Sequence, residues 1–196
     1  MQKVNFRTVF SLVFGVILVW SVSAQTGGGK TKAFFNIFES GTYHMKARMV
    51  ASSMGDMTME TYSKDGKIAT STTSQGMSFR VVLKDDKAYT IIDAAKMIMV
   101  SPMQKGKDTG RIQTSGMKFT GSGTAEFNSK NLPYEEYSDS KGNKAQYFLD
   151  GSKLAGIRNI MGKEGVLDMI IDVLDQNVPA NVFELPSGYK MQEKAN

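Results

Sequence analysis

The chain has 196 residues, with 24 lysines and arginines against 19 acidic residues and a formal net charge of +5. Its cations are spread without blocks of like charge, which argues against a nucleic acid as partner. The sequence contains no cysteine, which excludes a disulfide framework and the acylated cysteine of a bacterial lipoprotein.

The first thirty residues have the organisation of a secretory signal peptide. Two cations, the second of them Arg7, precede an apolar run from Val9 to Val22, and small residues follow up to Ala24. We therefore expect export, cleavage near Ala24 and a periplasmic protein that is not lipidated. The alternative is an uncleaved membrane anchor, because no charge occurs between Arg7 and Lys30. The polar and glycine residues at the far end of this stretch favour cleavage.

The remainder predicts a short linker and one domain. Residues 25–31 include three consecutive glycines and predict a flexible linker, and residues 32–196 have the length of a single domain with a full hydrophobic core. Phe34, Ile37 and Phe38 recur at helical spacing. Gly41 follows where a helix C-cap would lie, so the domain is predicted to begin with a short helix.

From Thr42 onward the apolar period changes to two, as in a strand buried on one face. Turn signals then recur at intervals of about ten residues or less. Asp65-Gly66 is the most secure hairpin turn, because both residues tolerate positive φ angles. Further strands are predicted at 57–63, 67–74, 77–84, 87–92, 97–100, 117–128, 132–138, 144–149 and 153–157.

Three segments need separate interpretation. Pro102 to Gly116 is polar and glycine-containing, which predicts a long surface loop. Val166 to Val173 fits a buried helix or a strand, and its Ile and Val content favours a strand. Val182 to Leu185 lies between two prolines and predicts a short extended tail segment fastened by Phe183 and Tyr189.

Taken together, these elements predict a mainly β fold: a strongly curved antiparallel sheet, forming an open half-barrel, with the N-terminal helix packed on its concave side.

The two ends of the domain resemble a group of exported bacterial domains of unknown function. The resemblance lies in the opening Gly41-Thr42-Tyr43-His44-Met45 and in the ending Asn177 to Lys190, with its Val-Pro, Val-Phe and Pro-x-Gly-Tyr steps. The plan also resembles the lipoprotein-carrier fold of LolA and LolB, whose concave face accepts acyl chains. The resemblance implies a lipid, a lipoprotein or another apolar ligand, and an envelope protein as a further partner. The carriers' buried arginine has no counterpart here, since Arg48 and Arg80 alternate out of phase with the apolar faces of their strands and are expected to face solvent.

Methionine is the compositional outlier, with 14 residues. Several occur two or four apart and so share a face of their strand. Flexible thioethers can repack around apolar chains of different length. The candidate ligand-binding face consists of Met45, Met49, Met57, Met59, Phe79, Met97 and Met99. The alternatives are a self-filled core in a structural or interaction module of the envelope, and a Cu(I) site, because soft thioethers select Cu(I).

The sequence carries no catalytic signature. His44 is the single histidine, no Gly-x-Ser-x-Gly motif occurs, and His44 is interpreted as a polar residue on the exposed side of the first strand. Glu135-Glu136 and Asp85-Asp86 are interpreted as surface carboxylates, because neighbours in a strand point to opposite faces and the second pair lies in a turn. We therefore expect a non-enzymatic protein without catalytic residues, cofactor or metal ligands, and no residue pattern predicts an oligomeric state.

Overall fold

A computed structural model describes residues 29–50, 57–74, 76–103, 118–140, 142–160 and 165–193. These ranges contain one α-helix, α1 (Lys32–Glu39), and twelve strands in one sheet. The predicted signal peptide, residues 25–28 of the linker and most of the predicted loop at 102–116 lie outside them. The strands are β1 (Tyr43–Val50), β2 (Met57–Lys64), β3 (Lys67–Ser74), β4 (Met77–Lys84), β5 (Lys87–Ile92), β6 (Met97–Pro102), β7 (Lys118–Phe127), β8 (Lys130–Ser138), β9 (Lys144–Asp150), β10 (Lys153–Ile160), β11 (Val166–Asp175) and β12 (Lys190–Glu193).

The sheet consists of two meanders joined side by side, the first formed by β1 to β6 and the second by β7 to β11. Its strand order is β12-β6-β5-β4-β3-β2-β1-β11-β10-β9-β8-β7. The first and second meanders meet where β1 pairs antiparallel with β11, and β12 adds a parallel strand beside β6. The sheet is open, with edges at β12 and β7, which confirms the predicted mainly β, half-barrel architecture with an N-terminal helix. Within the described ranges, no helix is long and apolar enough to span a membrane.

Local sequence explains most of the strand boundaries. The Asp65-Gly66 turn has φ angles of 52° and 74°, and Asp85 and Asp86 have 53° and 56°, the positive values that tight hairpin turns require. Gly41 follows α1 with φ of 71°, and its N–H bonds to the carbonyl of Phe38 at 3.1 Å. The predicted C-cap glycine is therefore confirmed.

The C-terminal segment corrects one prediction. The segment predicted as extended at Val182 to Leu185 instead begins within a short 3-10 helix, Ala180–Phe183, that starts directly after Pro179. Phe183 is buried in an apolar cluster with Ala69, Val82, Ile91, Ile98 and Val100. The 3-10 turn places the Phe183 ring against the sheet. The free energy gained by burying this ring outweighs the preference for extended backbone near the prolines. The anchoring roles predicted for Phe183 and Tyr189 are confirmed, since both pack in this cluster.

The other prediction to correct concerns β7. The sequence places Phe119, Ala125 and Phe127 on one face, but the β7–β8 register shifts between Phe119 and Gly121. This β-bulge reverses the side-chain alternation. Phe119 packs with the helix-side cluster around Tyr137, whereas Phe127 lies in the cluster on the opposite face.

Candidate functional site

A cleft of about 510 Å³ is lined by Phe34 of α1 and by side chains of β1 and of β7 to β11 with their turns. Its size lies within the ~300–1,000 Å³ range usual for small-molecule pockets. Its apolar lining combines side chains of two clusters, one packed against the helix and one on the opposite face. The lining residues are Phe34, Arg48, Phe127, Asn128, Lys130, Leu132, Asp150, Ser152, Lys153, Leu154, Ala155, Ile170, Ile171, Asp172 and Leu174.

Two β-bulges coincide with this cleft. The β9–β10 register shifts between Leu154 and Gly156, which leaves Ala155 as an extra residue, and the β1–β11 register skips Asp172. Both extra residues line the cleft. Bulges bend strands and redirect side chains, so these two irregularities bring apolar residues from both faces of the sheet to one opening.

Five of the lining residues are charged. The guanidinium Nε of Arg48 lies 3.1 Å from a carboxylate oxygen of Asp172, and Lys130 Nζ lies 2.9 Å from Asp150. The hydrogen bond from Lys130 lowers the pKa of the Asp150 carboxyl. Lys153 also lines the cleft. Arg48 is half exposed, as its strand phase predicts, and the lining as a whole carries three cations and two carboxylates.

Helix α1 places Phe34 in the lining of the cleft. Two other aromatic residues of α1 hold the helix in position on the sheet. The Phe35 ring makes edge contacts with Tyr137 and Tyr147, at centroid distances of 5.3 and 5.1 Å. Phe38 makes an edge contact with Tyr43 at 5.2 Å. Buried aromatic pairs of this kind add stability beyond the area they bury, so the helix is held along its length.

Glu135 fastens the chain at the start of α1. Its carboxylate accepts hydrogen bonds from the backbone N–H groups of Lys30 and Thr31 at 3.1 Å, and from the Thr31 hydroxyl. The Tyr137 hydroxyl lies 3.2 Å from the same carboxylate. Glu135 is 7% exposed, so its interpretation as a surface carboxylate is wrong. Its strand phase turns it toward the helix side, where the N-terminal segment supplies donors that local sequence does not reveal.

The environment of Glu135 predicts a pH-dependent helix attachment. Burial of the carboxylate raises its pKa, but the hydrogen bonds from Thr31, from the backbone of Lys30 and Thr31 and from Tyr137 outweigh this effect, so the pKa is lowered. A lowered pKa contributes stability above the unfolded-state value of about 4.3, and this is lost as pH falls through the folded value. We expect Glu135→Gln to lower the free energy of unfolding at pH 7 by about 1–3 kcal/mol, with the difference from wild type shrinking below about pH 4.3.

Urea denaturation from pH 7 to pH 3 measures this difference. Glu126→Gln, at an exposed position on β7, is the control and should follow wild type throughout. A Glu135→Gln deficit that stays constant across the pH range would contradict the role of the carboxylate charge.

The strand registers place all seven candidate ligand-binding residues on the same side of the sheet. Met49 lies opposite Met57, and Ala47 lies opposite Met59. The pairings continue from β2 through β3, β4 and β5 to β6, and they put Phe79 opposite Thr72 and Met99 opposite Thr90 on this side. This is also the side against which α1 packs, because Phe38 contacts the cluster that contains Met45. The sequence pattern thus located a shared face.

The seven residues do not form one continuous surface. Met45, Met49, Met57 and Met59 are buried with Phe38, Tyr43 and Leu167, whereas Phe79, Met97 and Met99 are half buried farther along the sheet. None of the seven lines the cleft. Leu174 connects the two regions, because it lines the cleft and packs against the methionine cluster.

His44 occupies a polar cluster on the opposite side of β1. Its Nε2 lies 2.9 Å from Glu60, its Nδ1 lies 3.5 Å from Asp175, and its ring stacks on Tyr62 at 4.4 Å. Burial of Glu60 raises its pKa, but hydrogen bonds from His44 and Tyr62 outweigh this, and the pKa is lowered. His44 lies on the exposed side of β1, as predicted, and its side chain is only 15% exposed because flanking strands supply partners on both sides. Among the described residues, no three His, Asp or Glu side chains are grouped to hold a metal ion.

Comparisons with known proteins identify the fold. No family model matches the sequence, and no curated protein matches it. The solved structure of an uncharacterized conserved protein from Thermus thermophilus matches with a TM-score of 0.55 at 7% sequence identity, over 85% of this chain and 100% of that chain. A LolA superfamily protein from Nitrosomonas europaea matches with a TM-score of 0.41 at 7% identity, over 81% of this chain and 99% of that chain. The first likeness shows a shared fold.

Proposed function

We propose that this chain is a non-enzymatic binding or carrier protein of the periplasm that takes a lipid, a lipoprotein acyl chain or a similar apolar ligand. The observation that carries the proposal is the cleft beside α1, whose volume of about 510 Å³ suits a small ligand. Its lining combines eight apolar side chains with five charged ones, which matches a molecule with an apolar chain and a polar end. The signal-like N-terminal sequence supports the periplasmic location.

The position of Leu174 suggests how the methionine face takes part. A chain that enters the cleft meets Leu174, and the buried methionines lie directly behind it. Methionine is unbranched and has three rotatable bonds, so this cluster can repack around an inserted chain. Phe79, Met97 and Met99 extend the same side of the sheet beyond the cluster.

The competing function is a structural or interaction module of the cell envelope. Its support is the tight burial of Met45, Met49, Met57 and Met59 beneath Phe38, which fills the centre of the helix side without a ligand. Titration with a hydrophobic probe separates the two functions, because a self-filled module has no saturable site.

A cleft-filling variant tests the carrier function. Ile171 lines the cleft from β11, and a tryptophan there would occupy ligand space. We expect wild type to bind a fluorescent fatty acid saturably and Ile171→Trp to bind it at least about tenfold more weakly, a loss of ~1.4 kcal/mol. Val166→Trp is the matched control, since Val166 lies on the same strand, is 50% exposed and does not line the cleft.

Fluorescence titration, with mass spectrometry of solvent extracts of the purified protein, gives the readout. Absence of saturable binding in wild type would overturn the carrier function and favour the envelope module. Equal affinities for wild type and Ile171→Trp would show that the ligand does not bind in this cleft.

A further inference from the structure

We propose that the buried methionine cluster is a thioether site for a soft monovalent cation, Cu(I) or its redox-stable analogue Ag(I). The cluster comprises Met45, Met49, Met57 and Met59, with Met169 packed against it. It is separate from the cleft, whose lining contains none of these residues.

Strand pairing brings three of the thioethers into one row. Met49 on β1 lies opposite Met57 on β2 and, on its other side, opposite Met169 on β11. Side chains directly opposite in antiparallel strands have Cβ atoms about 5 Å apart. Three flexible thioether chains attached at this spacing can direct their sulfur atoms toward one point.

Ala47 is a short side chain next to this row. It is fully buried, lies between Met45 and Met49 on β1, and is paired with Met59. Residues two apart on a strand are separated by about 6.8 Å. The short Ala47 side chain therefore has Met45, Met49 and Met59 as its neighbours on β1 and β2.

The surroundings suit a soft cation and disfavour hard ones. Thioether sulfur is a soft, neutral ligand that selects Cu(I), whereas Mg²⁺ and Ca²⁺ require oxygen ligands. The four methionines are 4–6% exposed, which excludes competing water. The rings of Phe38 and Tyr43 pack in the same cluster, and aromatic faces attract cations.

The thioether composition gives the site a distinguishing property. Histidine and carboxylate ligands must lose a proton to bind a metal, so their metal affinity falls in acid. Thioethers carry no proton in this range. Binding at the methionine cluster is therefore expected to be unchanged between pH 7 and pH 5, whereas binding at a site built of histidine or carboxylate ligands would weaken.

Calorimetric titration of the purified protein with Ag(I), and anaerobic competition for Cu(I) against a chromophoric chelator, test the site. The test variant is Met49→Leu combined with Met57→Leu and Met59→Leu, and the control is Met97→Leu on the same side of the sheet. Leu and Met exchange with little loss of packing, so the triple variant should remain folded, as followed by circular dichroism, while cation binding is lost. We expect about one ion per chain in wild type and the control, and an affinity at least tenfold lower in the triple variant.

A second measurement does not depend on the stability of any variant. In protein labelled with ¹³C at the methionine methyl groups, one equivalent of Ag(I) should shift the Met49, Met57 and Met59 resonances and leave the exposed Met77 and Met191 unchanged. Absence of binding by wild type, equal binding by the triple variant, or shifts confined to exposed methionines would each overturn the proposal. If wild type bound the cation but no fatty acid, the proposed carrier function of the cleft would be contradicted and the cation site would not.

Discussion

Replacing Phe35 with alanine is expected to lower the free energy of unfolding by about 3–5 kcal/mol, the usual cost of truncating a buried phenylalanine. The ring is 2% exposed and contacts Tyr137 and Tyr147 edge-on. Its loss leaves a cavity between the helix and the sheet and removes two aromatic contacts. Chemical denaturation followed by circular dichroism measures the change.

Asn36→Ala provides the matched control, because Asn36 is the next residue of α1 and is exposed. It should leave stability within about 0.5 kcal/mol of wild type, as is usual for surface substitutions. Phe35→Ala should also weaken fatty-acid binding, since Phe34 lines the cleft from the same helix. A stability loss below about 1 kcal/mol would show that the helix contributes little to the folded state.

Gly156→Ala is expected to destabilise the protein by about 1–3 kcal/mol, the range for overpacking a filled interior. A Cβ atom at this position would overlap the ring of Phe127 and the backbone carbonyl oxygen of Met169. The Phe127 ring stacks on Phe148 at 4.4 Å, and Phe148 is paired with Gly156. The absence of a side chain at Gly156 thus provides the space that the Phe127 ring occupies.

Gly121→Ala is the control for this substitution. Gly121 lies in β7, its φ is not positive, and a Cβ atom there would meet no atom within 4 Å. Thermal unfolding should therefore separate the two alanine variants clearly. If both glycine positions accepted alanine equally, close packing at Phe127 would not be the reason for glycine at 156.

Local sequence predicted the strands well because each carries its own signal. The alternation in β1 and the Asp65-Gly66 turn depend on residues close together in the chain, and the strand interpretation of Val166 to Val173 is confirmed by β11. Strand β12 lacked such a signal. Its Lys-Met-Gln-Glu sequence is exposed throughout, and it is a strand because the unpaired edge of β6 is available to it.

The cleft could not be predicted, since it depends on how distant segments align. The bulge residues Ala155 and Asp172 have no distinctive local pattern, and their irregularity exists only relative to β9 and β1. Glu135 was misread for the same reason, because its donors on Lys30 and Thr31 lie more than 100 positions earlier in the chain. The face shared by the methionines was predictable, because period-two spacing is a local property. The alignment of Met169 with Met49 was not.

The pairing of β1 with β11 determines the order in which the chain can fold. We call this β1–β11 pairing the seam. It places Met49 opposite Met169, which is 120 positions later in the chain, whereas the other antiparallel pairs connect consecutive strands. Closing so long a loop carries a large entropic cost, and such contacts slow folding. We expect the two meanders to form first and the seam to close last. The helix side, the cleft and the methionine cluster all span this seam, so each would be completed only in the final step of folding.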